Sequence, residues 1–251
     1  MSYLTLSLTL IFVLIPLLLS RTLKLGLEKD TLIATVRSII QLLVVGYVLQ
    51  YVFQADSFIF ILLMILLMIG AATQNARKKG ASIQGITWKL FITFVFIEIL
   101  TQSILLGLNI VPATPQYIIP ISGMVIGNSM VLGILFLNRF TAEVENQKEE
   151  TELILSLGGT PKQAIHTQLI TSIKASTIPT IESQKTIGLV QLPGMMSGQI
   201  IAGADPVQAV QFQLLILFLL LTTAVVTSIM LGFLSYPALF NKRMQFLKLK
   251  S

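Results

Sequence analysis

SFIFILLMILLMIGAATQNARKK, residues 57–79, is an apolar run that ends in three consecutive cations. Its first part, 57–76, is dense in Ile, Leu and Met and carries no charge. About 20 such residues in a helix cross the hydrocarbon core of a bilayer. Arg77-Lys78-Lys79 then closes the run, as basic residues do on the cytoplasmic side of a membrane. Just before it, Gln54-Ala55-Asp56 holds no cation. A span with one basic end and one bare end has a direction.

The same reading extends along the whole chain. Apolar runs at 3–20, 31–53, 57–76, 89–109, 117–140, 186–204 and 208–236 predict seven transmembrane helices. The gaps alternate in charge. Sixteen of the seventeen Lys and Arg residues fall in 21–30, 77–89, 139–185 and 242–251. Residues 54–56, 110–116 and 205–207 hold none, although Asp56 and Asp205 are there. The expected product is an all-α integral membrane protein of the cell membrane, a single transmembrane domain over 1–251. Its N-terminus is expected outside and its C-terminus in the cytoplasm. The run at 186–204 is rich in Gly. If it only dipped into the membrane and returned, the basic tail would end up outside, so the charge rule favours a full crossing. No cation precedes Arg21, so 3–20 reads as a retained span rather than a secretory signal.

Composition narrows the class further. The 251 residues are 54% hydrophobic and 11% charged, against roughly 25% charged in a soluble domain. The net charge of +6 sits at the ends of apolar runs, so it reads as topology and not as a nucleic-acid surface. The absence of Cys and the single His166 exclude thiol chemistry, Cys-ligated zinc and any site that needs two imidazoles.

The long polar segment, 141–185, is expected in the cytoplasm. Its start, TAEVENQKEETELILSL, is built of helix formers. Gly158-Gly159 should stop that helix. Thr160 suits an N-cap, Pro161 a first turn, and Gln163 completes a capping box. The prediction is a helix–Gly-Gly–helix elbow that projects from the membrane and can pass force to the spans. An ordinary solvated loop is the alternative. No GxxxxGK[ST] loop is present. The nearest string, Gly158-Gly159-Thr160-Pro161-Lys162, has the wrong spacing, and its proline lacks the N–H a phosphate cradle needs. The chain therefore reads as no ATPase and no enzyme, with no cofactor of its own.

The stretches LEKDTLIATVRSIIQLLVVGYVLQYVF (27–53), IIPISGMVIGNSM (118–130), LSLGGTPKQA (155–164) and IPTIESQKTIGLVQLPGMMSGQIIAGADPVQA (178–209) resemble the FetB-type family of ABC transporter permeases. Bacterial members are assigned to iron export. Related plant members, of the aluminium-sensitivity type, are linked to aluminium tolerance and nucleotide-sugar transport. The resemblance implies a homodimer of the permease in the lipid bilayer, working with a cytoplasmic ABC ATP-binding subunit that holds ATP and Mg. It also implies that Glu152, Gly158, Gly159, Thr160, Pro161 and Lys162 form the coupling surface. Glu152 and Gly158 have the separation of the acidic residue and glycine in many ABC importer coupling loops.

Inside the spans, ionisable side chains cost at least roughly 2.5–3.5 kcal/mol at mid-depth and should face the bundle interior or water. Glu98, with Gln102 one turn on, reads either as a cation- or proton-binding carboxylate or as a carboxyl hydrogen-bonded to a neighbouring helix. Arg37, with Gln41 one turn on, can snorkel inward, pair with Glu98 or bind an anionic group. Gly123-x-x-x-Gly127 and Gly194-x-x-x-Gly198 have the spacing of close helix packing. Asn128, Met195, Met196 and Gln199 lie beside them, and Pro193-Gly194 should break the sixth helix, as in transporter binding sites. Met thioethers alone suit Cu(I) better than Fe(II); with Asn128, Gln199 and Glu98 the donor set becomes mixed. No metal ligand set is assigned.

The function these readings support is export of iron or another metal cation by an ATP-driven permease. The alternatives are an ABC permease for a nucleotide sugar or other organic anion, and an ion-driven secondary carrier.

Overall fold

The computed structural model describes residues 9–55, 57–78, 83–241 and 243–247. The regular secondary structure of the described residues is helical apart from two isolated bridges. It divides into two units, Met1–Ser57 and Phe58–Ser251.

The first unit holds α1 (Ile11–Thr22) and α2 (Glu28–Ala55). Their corner is tied by Ser20, whose Oγ donates to Glu28 Oε1 (2.8 Å) and accepts from Leu27 N (3.2 Å). Helix α2 has 28 residues, about 42 Å, and covers the expected run at 31–53 with room to spare. Helix α1 has 12 residues, about 18 Å, so its described part is shorter than a crossing. Residues 3–8 of the expected first span lie outside the described residues.

The second unit begins with α3 (Phe58–Ala76), α4 (Ile86–Gly107) and α5 (Pro115–Asn146). There follow α6 (Lys148–Ser156), α7 (Pro161–Ala164), α8 (His166–Thr186), α9 (Gly194–Ile201) and α10 (Pro206–Ser235), closed by a 3₁₀ turn at Tyr236–Leu239. Among the described residues, five helices are long and apolar enough to cross a membrane: α2, α3, α4, α5 and α10. Local chemistry starts α10: Pro206 is its first residue and Asp205 Oδ1 accepts from the N–H groups of Val207 and Gln208 (2.9 and 3.0 Å).

Side-chain register gives each helix a direction. Tyr117 meets Phe212, Asn128 meets Leu220 and Thr223, and Gly133 meets Leu231, so α5 and α10 run parallel. Helix α3 runs with α5, because Met68 meets Gly123 and Asn75 meets Met130. Helix α4 runs against α5: Glu98 meets Ser122, and Leu90 meets Gly133. Phe94, Phe136, Phe140, Leu169 and Leu231 form the core near the C-terminal ends of α5 and α10. A second cluster of Ile97, Ile121, Val125 and Ile216 lies toward their starts.

The structure departs from two expectations. No single crossing helix forms over 186–204. Ile187 and Gln191 close a turn around Gly188 (φ +88°), and α9 has eight residues, about 12 Å. Gly188, Pro193 and Gly203 (φ +95°) interrupt the run more strongly than its apolar content supports it. Conversely, 141–185 is not all a projecting segment. Its last part, α8, lies antiparallel along α10. Leu169 packs at Gly232, Ser176 and Ser228 share a hydrogen bond (2.8 Å), and Gln184 Nε2 donates to the Leu217 carbonyl (2.9 Å). So α8 returns the chain toward the start of α10. The direction of α10 is preserved although the Gly-rich run is not a span.

Pattern alone missed α8 because its sequence is polar. Gln168, Ser172, Ser176 and Thr177 are buried against neighbours, where small polar groups join helices by hydrogen bonds. The sequence HTQLITSIKASTIPTIESQKT therefore averages to no hydropathy signal.

Candidate functional site

The buried carboxylate of Glu98 is the centre of a polar cluster in the second unit. Helix α4 places Glu98 and Gln102 on one face, at the i,i+4 spacing. Helix α5 brings Ser122 opposite. Ser122 Oγ donates to Glu98 Oε1 (2.5 Å), and Gln102 Nε2 donates to Glu98 Oε1 (3.0 Å) and to Ser122 Oγ (2.9 Å). Glu98 is only 5% exposed. Its Oε2 and the Oε1 of Gln102 are buried without a hydrogen-bond partner among the described residues. Two acceptor oxygens left over are what a hydrogen-bond donor or a cation would complete. Glu98 and Gln102 border a cavity of about 420 Å³ between α3 and α4, walled by Ile61, Ile65, Ile69 and Val95. Sequence reasoning found Glu98 and Gln102 but not Ser122, a lone hydroxyl in an apolar run.

The other pathway candidates separate from this cluster. Asn128 Nδ2 donates to the Leu220 carbonyl (3.2 Å) and Thr223 Oγ1 (3.1 Å), so its amide joins α5 to α10. Asn128→Ala is expected to cost roughly 1 kcal/mol or less, as interhelical hydrogen bonds do in membranes. Denaturation of the purified protein in detergent measures it. Met195 and Met124 pack against the second apolar cluster, and Met130 against the first. Met196 and Gln199 are half-buried on α9. In the first unit, Arg37 and Gln41 lie one turn apart on α2 and line a shallow cavity with Leu32, Val36 and Ile40. No group of three or more His, Cys, Asp or Glu comes together among the described residues.

The glycines sort differently from their spacing. At Gly127, Gly194 and Gly198 a Cβ would meet nothing within 4 Å, and at Gly123 it would make ordinary contact with Met68 at 3.8 Å. Close approach falls instead at Gly133, where a Cβ would stand 3.1 Å from Leu231, and at Gly232, where one would stand 2.5 Å from Leu169 and 3.3 Å from Phe136. Neither belongs to a GxxxG string.

The elbow has a defined geometry. Gly158 sits at φ +86°, its N–H bonds to the Leu155 carbonyl, and the N–H of Gly159 bonds to that of Ile154 (2.9 Å). This is a Schellman end to α6. Thr160 and Gln163 then close a capping box with Pro161 at the first turn. The elbow is pinned to the helices behind it. Gln168 Nε2 of α8 donates to Thr151 Oγ1 of α6 (3.2 Å), and Lys162 Nζ lies 5.8 Å from the centre of the Phe233 ring of α10. Its outer face shows Leu153 and Leu157, the latter 80% exposed. Glu152 pairs with Lys148 (3.5 Å) and borders a concavity of about 650 Å³ with Gly158, Gly159 and Arg243.

No solved structure matches the chain. It is 58% identical over 245 residues to a UPF0014 membrane protein, YjkA, of Bacillus subtilis, covering 98% of each chain. It is 41% identical over 241 residues to a protein of Escherichia coli described as the probable iron export permease FetB, covering 96% of this chain and 93% of that one. The identity is 33% over 236 residues to ALUMINUM SENSITIVE 3 of Arabidopsis thaliana, covering 94% and 86%. Residues 3–240 match the model of the uncharacterised protein family UPF0014, and this chain, an all-helical multi-pass membrane protein, belongs to that family.

Proposed function

We propose that the chain is the membrane-spanning permease subunit of an ATP-driven transporter. A cytoplasmic ATP-binding subunit, holding ATP and Mg, engages the elbow at Glu152–Lys162, and two copies of the permease pair around two such subunits. The cargo is iron or another metal cation. The observation that carries this reading is the pinned elbow. A rigid corner with exposed Leu153 and Leu157 is joined to α8 through Gln168 and to α10 through Phe233. A push on α6 therefore moves two packed helices together. Transport is then a shift between inward- and outward-open populations, with the differential binding supplied by ATP on the partner. The probable iron export permease of Escherichia coli supports the cargo. With the N-terminus outside, the directions of α3, α4, α5 and α10 agree with the charge alternation, and the elbow and basic tail are cytoplasmic.

The test is copurification with a soluble ATPase, followed by addition of Fe(II) to the reconstituted pair. Stimulated turnover is the expected result. A chain that carries iron into liposomes with no partner and no ATP would overturn the reading. That outcome would favour the second one, an ion-driven carrier, for which the free Oε2 of Glu98 is the supporting feature. Stimulation by a nucleotide sugar instead of iron would keep the ATP-driven mechanism and move the cargo class to organic anions, with Arg37 as the residue to examine.

A further inference from the structure

Glu182 and Lys185 form an ion pair of 2.6 Å on α8, and their side chains are 58% and 62% exposed. Ser183 between them is exposed as well. The depth of this patch is set by its neighbour. Gln184 holds the Leu217 carbonyl of α10, and Leu217 stands about 17 Å from Pro206 and about 27 Å from Ser235 along that helix. It also falls between Phe212 and Leu220, which Tyr117 and Asn128 of α5 meet. The pair is thus in the same layer as the Glu98–Ser122 cluster. Lys174, three turns earlier on the same exposed face of α8, continues the charged line toward the C-terminal end of α10.

Exposed charge in that layer is penalised against hydrocarbon and is retained only where water or protein solvates it. The opposite face of α8 already has its protein contacts, through Leu169, Ser176 and Gln184. We propose that the Lys174–Glu182–Lys185 face of α8 borders a water-filled passage through the membrane layer, open to hydrated solutes and not to lipid-soluble ones, with the Glu182–Lys185 pair as its charged constriction. The proposal deepens the permease reading and rests on it for the use of the passage.

The chain contains no Cys, so single cysteines can be placed in an otherwise native background. The thiolate, which forms only where water reaches, attacks the sulfenyl sulfur of a methanethiosulfonate reagent and displaces methanesulfinate. In native membranes opened to reagent on both sides, Ser183→Cys should react with the cationic ethyltrimethylammonium reagent at least about 100-fold faster than Phe218→Cys. Phe218 is 64% exposed beside Leu217 on α10, at the same depth. The charge of the constriction gives a second readout. Removing Glu182 (Glu182→Gln) should raise the ratio of anionic to cationic reagent rates at position 183 by roughly fivefold, and Lys185→Gln should lower it by a similar factor. Ser183→Cys that reacts no faster than Phe218→Cys, or a ratio unmoved by both substitutions, would overturn the proposal. Those results would leave the partner-ATPase test untouched. A reactive Ser183→Cys in a chain that carries iron into liposomes with no partner and no ATP would keep the passage and remove the ATP-driven reading.

Discussion

Gly159→Ala is expected to uncouple ATP turnover by the proposed partner from the proposed transport, while the chain stays folded in the membrane. A Cβ at Gly159 would lie 2.8 Å from the Ile154 carbonyl oxygen and 2.5 Å from the Ile154 methyl. The first of these is backbone, which cannot rotate away. The Gly159 N–H to Ile154 bond must open, and with it the angle between α6 and α7. A loss of about 1.4 kcal/mol in the closed elbow is a tenfold loss in the competent population. Transport per ATP hydrolysed should fall by about that factor, measured in proteoliposomes of the reconstituted pair. Gly158 is a graded control. Its left-handed conformation costs a side chain roughly 1–2 kcal/mol, but space around it is open. Asn tolerates that conformation, so Gly158→Asn should retain most of the coupling. Normal coupling in Gly159→Ala would remove the elbow from the mechanism.

Gly232→Leu is expected to destabilise the fold by on the order of 3 kcal/mol, the upper end of overpacking costs. Gly232 lies where α10 touches both α8 and α5. Leu169 and Phe136 fill the space its side chain would need. Phe136 is fully buried and stacked on Phe140 at 5.3 Å, so it has nowhere to turn. Leu169 is a flexible end and can yield to a methyl. Gly232→Ala should therefore cost about 1 kcal/mol and leave most protein folded. Thermal unfolding in detergent, with the folded yield from membranes, separates the two. Gly194→Leu, at a site with open space in one chain, should lose far less folded protein than Gly232→Leu. Equal losses would mean that the packing at Gly232 is not what holds α8.

The glycines show where sequence reading stops. GxxxG marks positions where two helices can approach, but not whether a helix of the same chain does so. Gly194 and Gly198 have the motif and no neighbour within 4 Å; Gly133 and Gly232 have neighbours and no motif. The elbow was legible because caps are local. Thr160, Pro161 and Gln163 are close enough in sequence to specify their own hydrogen bonds. The Glu98 cluster was half legible. A carboxylate in an apolar run announces itself, and Gln102 follows by helical spacing, but Ser122 is twenty-four residues away and reaches Glu98 only through the packing of α4 on α5.

Sequence by itself determined that this chain is an all-helical membrane protein. It also located the long apolar helices and set the bend at Gly158-Gly159. Each of these depends on the solvation of one segment or on bonds within a few residues. The tertiary structure decided which segment returns the chain between α5 and α10. The Gly-rich run is apolar enough to cross but is broken by its own backbone at Gly188, Pro193 and Gly203. Helix α8 is too polar to read as a span, yet it lies beside one, because Gln168, Ser172, Ser176 and Gln184 turn their polar groups onto protein instead of lipid. Hydropathy sums a residue's preference for solvent over oil, and it has no way to count a hydrogen bond to a helix that arrives later in the chain.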